Sequence, residues 1–248
     1  SKILVLRRRE DTVPPPAPTA EPAPVPAEAV DEIDRLLTDP RLLTARLLEI
    51  DRKYSSYISD IFDPGAGYSS FEALEELGMV LALMRHYTGS LAGKRMLEIG
   101  PGFGLSLLAL KELGVEAEGL ELSQEAVALV REQGALVTHG DLISPPEAMV
   151  AYPYDVTFSF SVLDVLDQPV LDVAPLGALP PAGDLPLALR QQGQQMLRQL
   201  ARLTKPGGIS VHRVSAGWPF AEEDVTNAGF DILEGGISST ILVLRRRE

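Results

Sequence analysis

Four residues within seven positions carry the clearest chemical pattern in the chain. They are Glu98, Gly100, Gly102 and Gly104, in the run R-M-L-E-I-G-P-G-F-G from Arg95 to Gly104. Glycine has no Cβ, so it reaches positive φ and lets a ligand lie against the backbone. A helix opening straight after such a turn adds unpaired N–H groups. The spacing here is G-x-G-x-G, not the G-x-G-x-x-G of dinucleotide sites, and Glu98 stands two residues before the first glycine. A carboxylate in that place repels a diphosphate and attracts a cation. A second acid, Glu121, lies about twenty residues beyond the glycines, the distance at which a second-strand carboxylate reaches the hydroxyls of a bound nucleoside. Its other reading is an ordinary surface acid. Leu122 follows it as an apolar edge.

These residues need a strand, a tight turn and a helix to hold them. The apolar run into Glu98 predicts the strand, and the amphipathic stretch Leu105 to Leu113 predicts the helix. Glu116 to Glu121 reads as a second strand, with Ser123 as N-cap of the helix behind it. Leu136 to Thr138 is a third strand, Tyr154 to Phe160 a fourth and Ile209 to Val214 a fifth. Leu187 to Leu203 is an amphipathic helix despite Gly193, stopped by Thr204-Lys205-Pro206-Gly207-Gly208. Ala228 to Leu233 and Ser238 to Arg245 give two last strands joined at Gly235-Gly236. Period two puts His212 and Arg213 on opposite faces of the fifth strand. His212 reads as a buried or rim histidine, and His139 as a loop residue.

The glycine run resembles the first motif of the class I S-adenosylmethionine-dependent methyltransferases. Further stretches are similar to the same family: Glu121 with Leu122, His139-Gly140-Asp141-Leu142, the fourth strand Y-D-V-T-F-S-F, and the K-P-G-G turn into strand five. The resemblance covers about residues 91–248. It implies an α/β fold with a seven-stranded, mostly parallel sheet, an antiparallel last strand, helices on both faces and a helical N-terminal cap. It implies S-adenosylmethionine as cofactor, with Glu98 at its amino acid end, Gly100, Gly102 and Gly104 in close approach, and Glu121 on the ribose. Asp141 and Leu142 would take the adenine, and Ser159 and Phe160 would border the reacting methyl. Many relatives have an acid and then a histidine where this chain has Asp164 and Val165, so a general base there is in doubt. Asp164 could still orient a substrate hydroxyl or amine, or serve as a helix cap.

With 248 residues and 45% apolar content, the chain can bury the core of one α/β domain plus an accessory segment. The net charge of −13 replaces the counterion-release term of nucleic-acid binding with repulsion, which points to a small-molecule substrate and no nucleic acid. The absence of cysteine excludes disulfides, thiolate zinc sites and a thiol nucleophile, and no metal site is expected. No apolar run spans a membrane and no signal peptide is evident, so a cytoplasmic protein is expected. The reaction implied is methyl transfer to oxygen, or second to nitrogen, of a small molecule or sugar. A catalytically idle cofactor-binding or scaffold module is one alternative, and an NAD-dependent oxidoreductase, which Glu98 opposes, is another.

The ends of the chain repeat. Ile3 to Glu10 match Ile241 to Glu248 residue for residue. A tandem array, in which the first ten residues are the last strand of a preceding copy, would produce this, and so would a closing strand supplied artificially. A neighbouring domain or a strand-swapped oligomer is the partner implied. Residues 11–27 are a proline and alanine tether, extended and semi-rigid. Residues 28–90 read as a helical cap or lid, in which Asp39-Pro40 ends the first helix. Tyr54, Tyr57 and Tyr68 surround the turn D-P-G-A-G at Asp63 to Gly67, as packing residues or as a lid over substrate. The Pro- and Leu-rich stretch Pro169 to Pro186 is either a substrate-facing insertion or a packing loop.

Overall fold

The computed structural model describes residues 27–61, 69–163, 187–214, 218–236 and 239–248. The duplicate segment, the tether, the D-P-G-A-G turn with Tyr68, Asp164 and the Pro169 to Pro186 stretch lie outside the described residues. The elements run α1 (Ala27–Leu36), α2 (Pro40–Lys53), α3 (Ser55–Ile61), α4 (Ser70–Thr88), β1 (Met96–Ile99), α5 (Leu105–Glu112), β2 (Ala117–Glu121) and α6 (Gln124–Glu132). They continue with β3 (Leu136–His139), α7 (Glu147–Ala151), β4 (Tyr154–Phe160), α8 (Leu187–Leu203), β5 (Thr204–Arg213), α9 (Glu222–Asn227), β6 (Phe230–Gly235) and β7 (Ile241–Arg246).

The strands form one seven-stranded sheet in the order β3-β2-β1-β4-β5-β7-β6. Strands β1 to β5 pair in parallel, and β7 runs antiparallel to both β5 and β6. This is the sheet expected from the sequence. Two apolar layers cover it, one on each face. On one side Val156, Phe158, Ile209, Val211 and Val243 pack with residues of α1, α2, α4, α5 and α6. On the other, Leu97, Ile99, Leu120, Leu242 and Leu244 pack with α8 and α9. Among the described residues, no helix is long and apolar enough to cross a membrane.

Local chemistry explains most of the boundaries. Asp39, three residues past the end of α1, caps α2, its carboxylate accepting from Arg41 N with Pro40 at the first helical turn. Ser69 and Glu72 form a reciprocal capping box on α4. Ser123 caps α6 as its residue type predicts, accepting from Ala126 N at 3.3 Å. Gly193 sits where a Cβ would come within 2.7 Å of the Pro219 carbonyl oxygen, so α8 needs a glycine there to approach the loop before α9.

Two expectations change. Helix α5 is not amphipathic: Leu105, Leu107, Leu108, Ala109 and Leu110 are all buried, because α2 and α4 stack over the face that a surface helix would leave wet. And β5 starts at Thr204, five residues earlier than its apolar run. Thr204 pairs with Tyr154 and Ile209 with Val156, so the K-P-G-G residues bulge out of the ladder opposite Asp155. The Lys205 ammonium clamps that bulge by a 2.9 Å bond to the Asp155 carboxylate.

Candidate functional site

All three glycines of the turn between β1 and α5 hold positive φ, at 64° for Gly100, 56° for Gly102 and 73° for Gly104. They do so for different reasons. A Cβ on Gly100 would meet Val162 at 2.6 Å, and one on Gly104 would meet Val130 at 2.7 Å. These two let neighbouring elements close on the turn. At Gly102 a Cβ would meet nothing within 4 Å. That backbone lies bare.

Glu121, at the tip of β2, fastens the bare segment. Its Oε2 accepts from Gly102 N at 2.9 Å and its Oε1 from Ser123 N at 2.7 Å, tying the glycine turn to the start of α6. A carboxylate has about four lone-pair positions, so two backbone bonds leave acceptor capacity for a ligand hydroxyl. Leu122 beside it is 66% exposed, a free apolar surface at the sheet edge. The Leu122 carbonyl lies 3.0 Å from His139 Nε2, so His139 is an exposed end-of-strand residue holding the loop. Asp141 is exposed and accepts from Ile143 N at 2.9 Å, while Leu142 is buried among Leu120 and its neighbours.

Glu98 lies beneath the turn at 2% exposure. The Ser106 hydroxyl, on the first turn of α5, touches both its oxygens at 2.6 and 2.5 Å. Burial pushes its carboxyl up to about 8; the Ser106 hydrogen bond opposes this and the charge of Glu121 reinforces it. In the ligand-free chain Glu98 is thus a largely protonated acid near neutral pH, and a cation placed above it would favour its ionised form.

Ser159 belongs to a different environment on the opposite face of the sheet. Its hydroxyl lies 2.8 Å from His212 Nδ1, and His212 Nε2 lies 2.6 Å from Ser210 Oγ. Ser210 is 2.6 Å from Thr157 Oγ1, Thr157 is 2.9 Å from Thr204 Oγ1, and Thr204 donates to the Leu200 carbonyl at 2.8 Å. A carbonyl only accepts, and each hydroxyl has one hydrogen. The chain is therefore satisfied in one direction, which makes His212 an Nε2–H tautomer accepting from Ser159 at Nδ1. Burial holds the imidazole down to about 3, so it stays neutral. The strand then turns sharply: Ser161 has φ 50° and its N–H bonds Arg213 O at 2.7 Å, bringing Val162 onto Gly100. Phe160 is half-buried beside this turn.

The fold thus brings Glu98, the three glycines, Glu121 and Leu122 together at one end of β1 and β2, with Asp141 and Leu142 at the end of the adjoining β3. Phe160 ends β4 on the other flank. The Ser159 side chain turns instead into the hydroxyl and imidazole chain.

A family model described as methionine biosynthesis protein MetW matches residues 82–171. The chain is 28% identical over 128 residues to a ubiquinone biosynthesis O-methyltransferase of Thiobacillus denitrificans, covering 49% of this chain and 53% of that protein. It is 26% identical over 167 residues to the protein of the same name from Bordetella avium, covering 64% and 57%. It therefore spans little more than half the length of these relatives. In structure it is similar to the CcbJ methyltransferase from Streptomyces caelestis, with TM-score 0.52, 16% identity and coverage of 77% of this chain and 95% of that one. The sugar N-methyltransferase KedS8 from a Streptoalloteichus species gives TM-score 0.51, 15% identity and coverage of 77% and 93%. The chain has the class I S-adenosylmethionine-dependent methyltransferase fold.

Several residues around the site make contacts that the sequence did not specify. Tyr57, on α3, donates from its hydroxyl to Phe103 O at 2.8 Å and so pins the glycine turn from the N-terminal cap. Tyr54 instead bonds Glu112 Oε1 at 2.9 Å and is a packing residue. Arg213 pairs with Glu76 of α4 at 2.8 Å. Ser106 has one signal in hindsight, being a hydroxyl eight residues after Glu98 where the first helical turn folds back over the strand.

Proposed function

We infer that this protein moves a methyl group from S-adenosylmethionine to an oxygen of a small molecule or sugar, with nitrogen as the second choice of acceptor atom. The observation that carries the reading is the bare Gly102 backbone flanked by two buried carboxylic residues, Glu98 and Glu121. Such a cradle suits a cationic nucleoside and repels a diphosphate, which counts against a nicotinamide dinucleotide. The names of the curated relatives support oxygen as acceptor, and that of KedS8 keeps nitrogen and sugars in view.

The cofactor would supply an electrophilic methyl on a positively charged sulfur. Glu98 would take its ammonium end, Gly100, Gly102 and Gly104 its close approach, and Glu121 its ribose hydroxyls through the acceptor positions left over from Gly102 and Ser123. Leu122, Asp141 and Leu142 would hold the adenine, with Phe160 and the Ser159 backbone near the transferred group. The chain's main contribution to rate is then to hold two reactants in line and exclude water. His212 is not the base of this reaction in this reading, because both ring nitrogens are engaged, the ring is fully buried, and burial opposes its taking a proton. Asp164 is retained as the residue that would orient the acceptor.

Residues 91–248 form the cofactor-binding core in this reading and residues 28–90 its cap. A chain without cysteine forms no disulfide and so needs no oxidising compartment to fold, which is compatible with the cytoplasm proposed for it. Calorimetric titration with S-adenosylhomocysteine, followed by a methyl-transfer screen of hydroxylated and amino metabolites, tests the assignment. No binding at millimolar ligand sinks it, and binding without turnover on any acceptor leaves a cofactor-binding scaffold.

A further inference from the structure

Strand β7 fills the slot between β5 and β6 and is the element on which sheet closure depends. Leu242, Val243 and Leu244 are each 0% exposed, so they supply apolar contacts to both faces of the sheet. The arginines after them are equally committed. Arg245 donates to Tyr87 O at 3.2 Å, Arg246 bonds Thr204 O, and Arg247 pairs with Asp231 at 2.7 Å while its N–H bonds Gly229 O at 2.9 Å. The remaining contacts are made by backbone: Val214 N donates to Thr240 O at 2.9 Å, and Trp218 Nε1 to Ser239 O at 2.7 Å.

Every side chain in that inventory is repeated at the other end of the chain. Ser1 to Glu10 and Ser239 to Glu248 agree at nine of ten positions, the exception being Lys2 for Thr240, whose described contact in the slot is through its carbonyl. Two segments of the same sequence have the same intrinsic affinity for one slot. Only their connections to the rest of the chain decide which one occupies it.

We propose that the slot between β5 and β6 accepts this chain's own Ile3 to Glu10 in place of Ile241 to Glu248, so that either copy of the repeated segment can complete the sheet. The tether allows it. Arg245, near the exit of the slot, touches Tyr87 at the end of α4, and α1 is anchored to the same turn by the 3.3 Å pair of Asp34 with Arg85. The sixteen residues from Asp11 to Pro26 reach about 50 Å when extended at about 3.1 Å each, well beyond the gap between two points on one helical turn plus the length of α1. Loop closure favours the incumbent. Five residues, Gly236 to Thr240, connect β6 to β7, against sixteen in the tether, a bias of about sixfold from loop length alone. The terminal segment therefore takes over when the incumbent is removed.

Three truncations test this: loss of residues 1–10, loss of residues 239–248, and loss of both, compared by circular dichroism, urea unfolding and light scattering. Either single truncation should leave a cooperatively unfolding monomer, and the double truncation should lose cooperative unfolding. Adding Val5→Asp and Leu6→Asp to the chain lacking residues 239–248 should abolish its fold, while the same changes in the full chain should leave its unfolding midpoint unchanged. If the chain lacking residues 239–248 is as disordered as the double truncation, the proposal is wrong. If it folds only as a dimer or larger species, the occupant is a second copy and the own-chain assignment fails.

Discussion

Two buried polar sites lie on opposite faces of the same sheet, and they differ in how completely the protein satisfies them. The chain from Ser159 through His212, Ser210, Thr157 and Thr204 to Leu200 O uses every hydroxyl hydrogen it has and carries no charge. Glu98 has Ser106 as its hydrogen-bond partner among the described residues, and burial holds it largely protonated. A closed neutral network adds to the fold and has nothing left to offer a ligand. A carboxyl whose burial favours the protonated form keeps its strongest interaction in reserve for a cation. The same test separates the glycines: Gly100 and Gly104 are used up by Val162 and Val130, and Gly102 is not.

The largest effect should come from breaking the closed network. His212→Leu leaves the Ser159 hydroxyl buried without its acceptor and Ser210 Oγ without the donor on one side, while Ser210 keeps its bond to Thr157, and should cost about 3 kcal/mol of stability at pH 7 in urea unfolding, with little change in ligand affinity. A stable variant that had lost ligand affinity would reverse the comparison. Glu121→Ala releases the Gly102 and Ser123 N–H groups and should read out chiefly in the ligand, weakening S-adenosylhomocysteine by about 2 kcal/mol in calorimetry, the loss of a hydrogen bond to a charged group. Unchanged affinity would remove Glu121 from the site.

This contrast shows what the sequence could and could not reveal. Glu98, Gly102 and Glu121 were legible because their spacing follows from local geometry: a strand, a turn with positive φ and a helix fix their relation within about twenty-five residues. Ser123 was legible as a cap for the same reason. The network was not, because Ser159 meets His212 only through the β4–β5 register, across 53 residues of chain. Without that register His212 is one histidine on a strand face. Burial of both faces of α5 was likewise set by tertiary stacking of α2 and α4, which no periodicity within α5 encodes. Which tyrosine reaches the glycine turn, Tyr57 or Tyr54, depends on where α3 lies against that turn, which the apolar stripe does not encode.

The two sites should also respond to pH with opposite signs. Between the ordinary carboxylate range and about 8, folded Glu98 holds a proton that the unfolded chain has released, so stability from this group falls as pH rises and is fully lost above about 8. His212 resists a proton that the unfolded chain accepts, so its site loses stability as pH falls from the ordinary histidine range toward about 3. A bound cation requires ionised Glu98, and affinity should rise by up to about tenfold per pH unit until about 8, then level off. Glu98→Gln should flatten both the affinity profile and the alkaline loss of stability. Calorimetry in buffers of different ionisation enthalpy reads the released proton directly; no proton release would place the cation elsewhere.

The smallest effect concerns the seam between the two sites, where Ser161 turns β4 toward the glycine loop at φ 50°. A left-handed conformation costs a residue with a Cβ about 1 kcal/mol or more, part of which glycine gives back through its freer unfolded state. Ser161→Gly should therefore gain roughly 0.5 kcal/mol in thermal or urea unfolding. The strained serine holds Val162 against Gly100, and through it the position of the bare Gly102 backbone. If that placement matters to the site, the more stable variant should bind S-adenosylhomocysteine less tightly and exchange the amide hydrogen of Gly102 faster. A variant that gains stability and keeps both its affinity and its protection would show that the strain serves only the turn, and that the site is held by Glu121 alone.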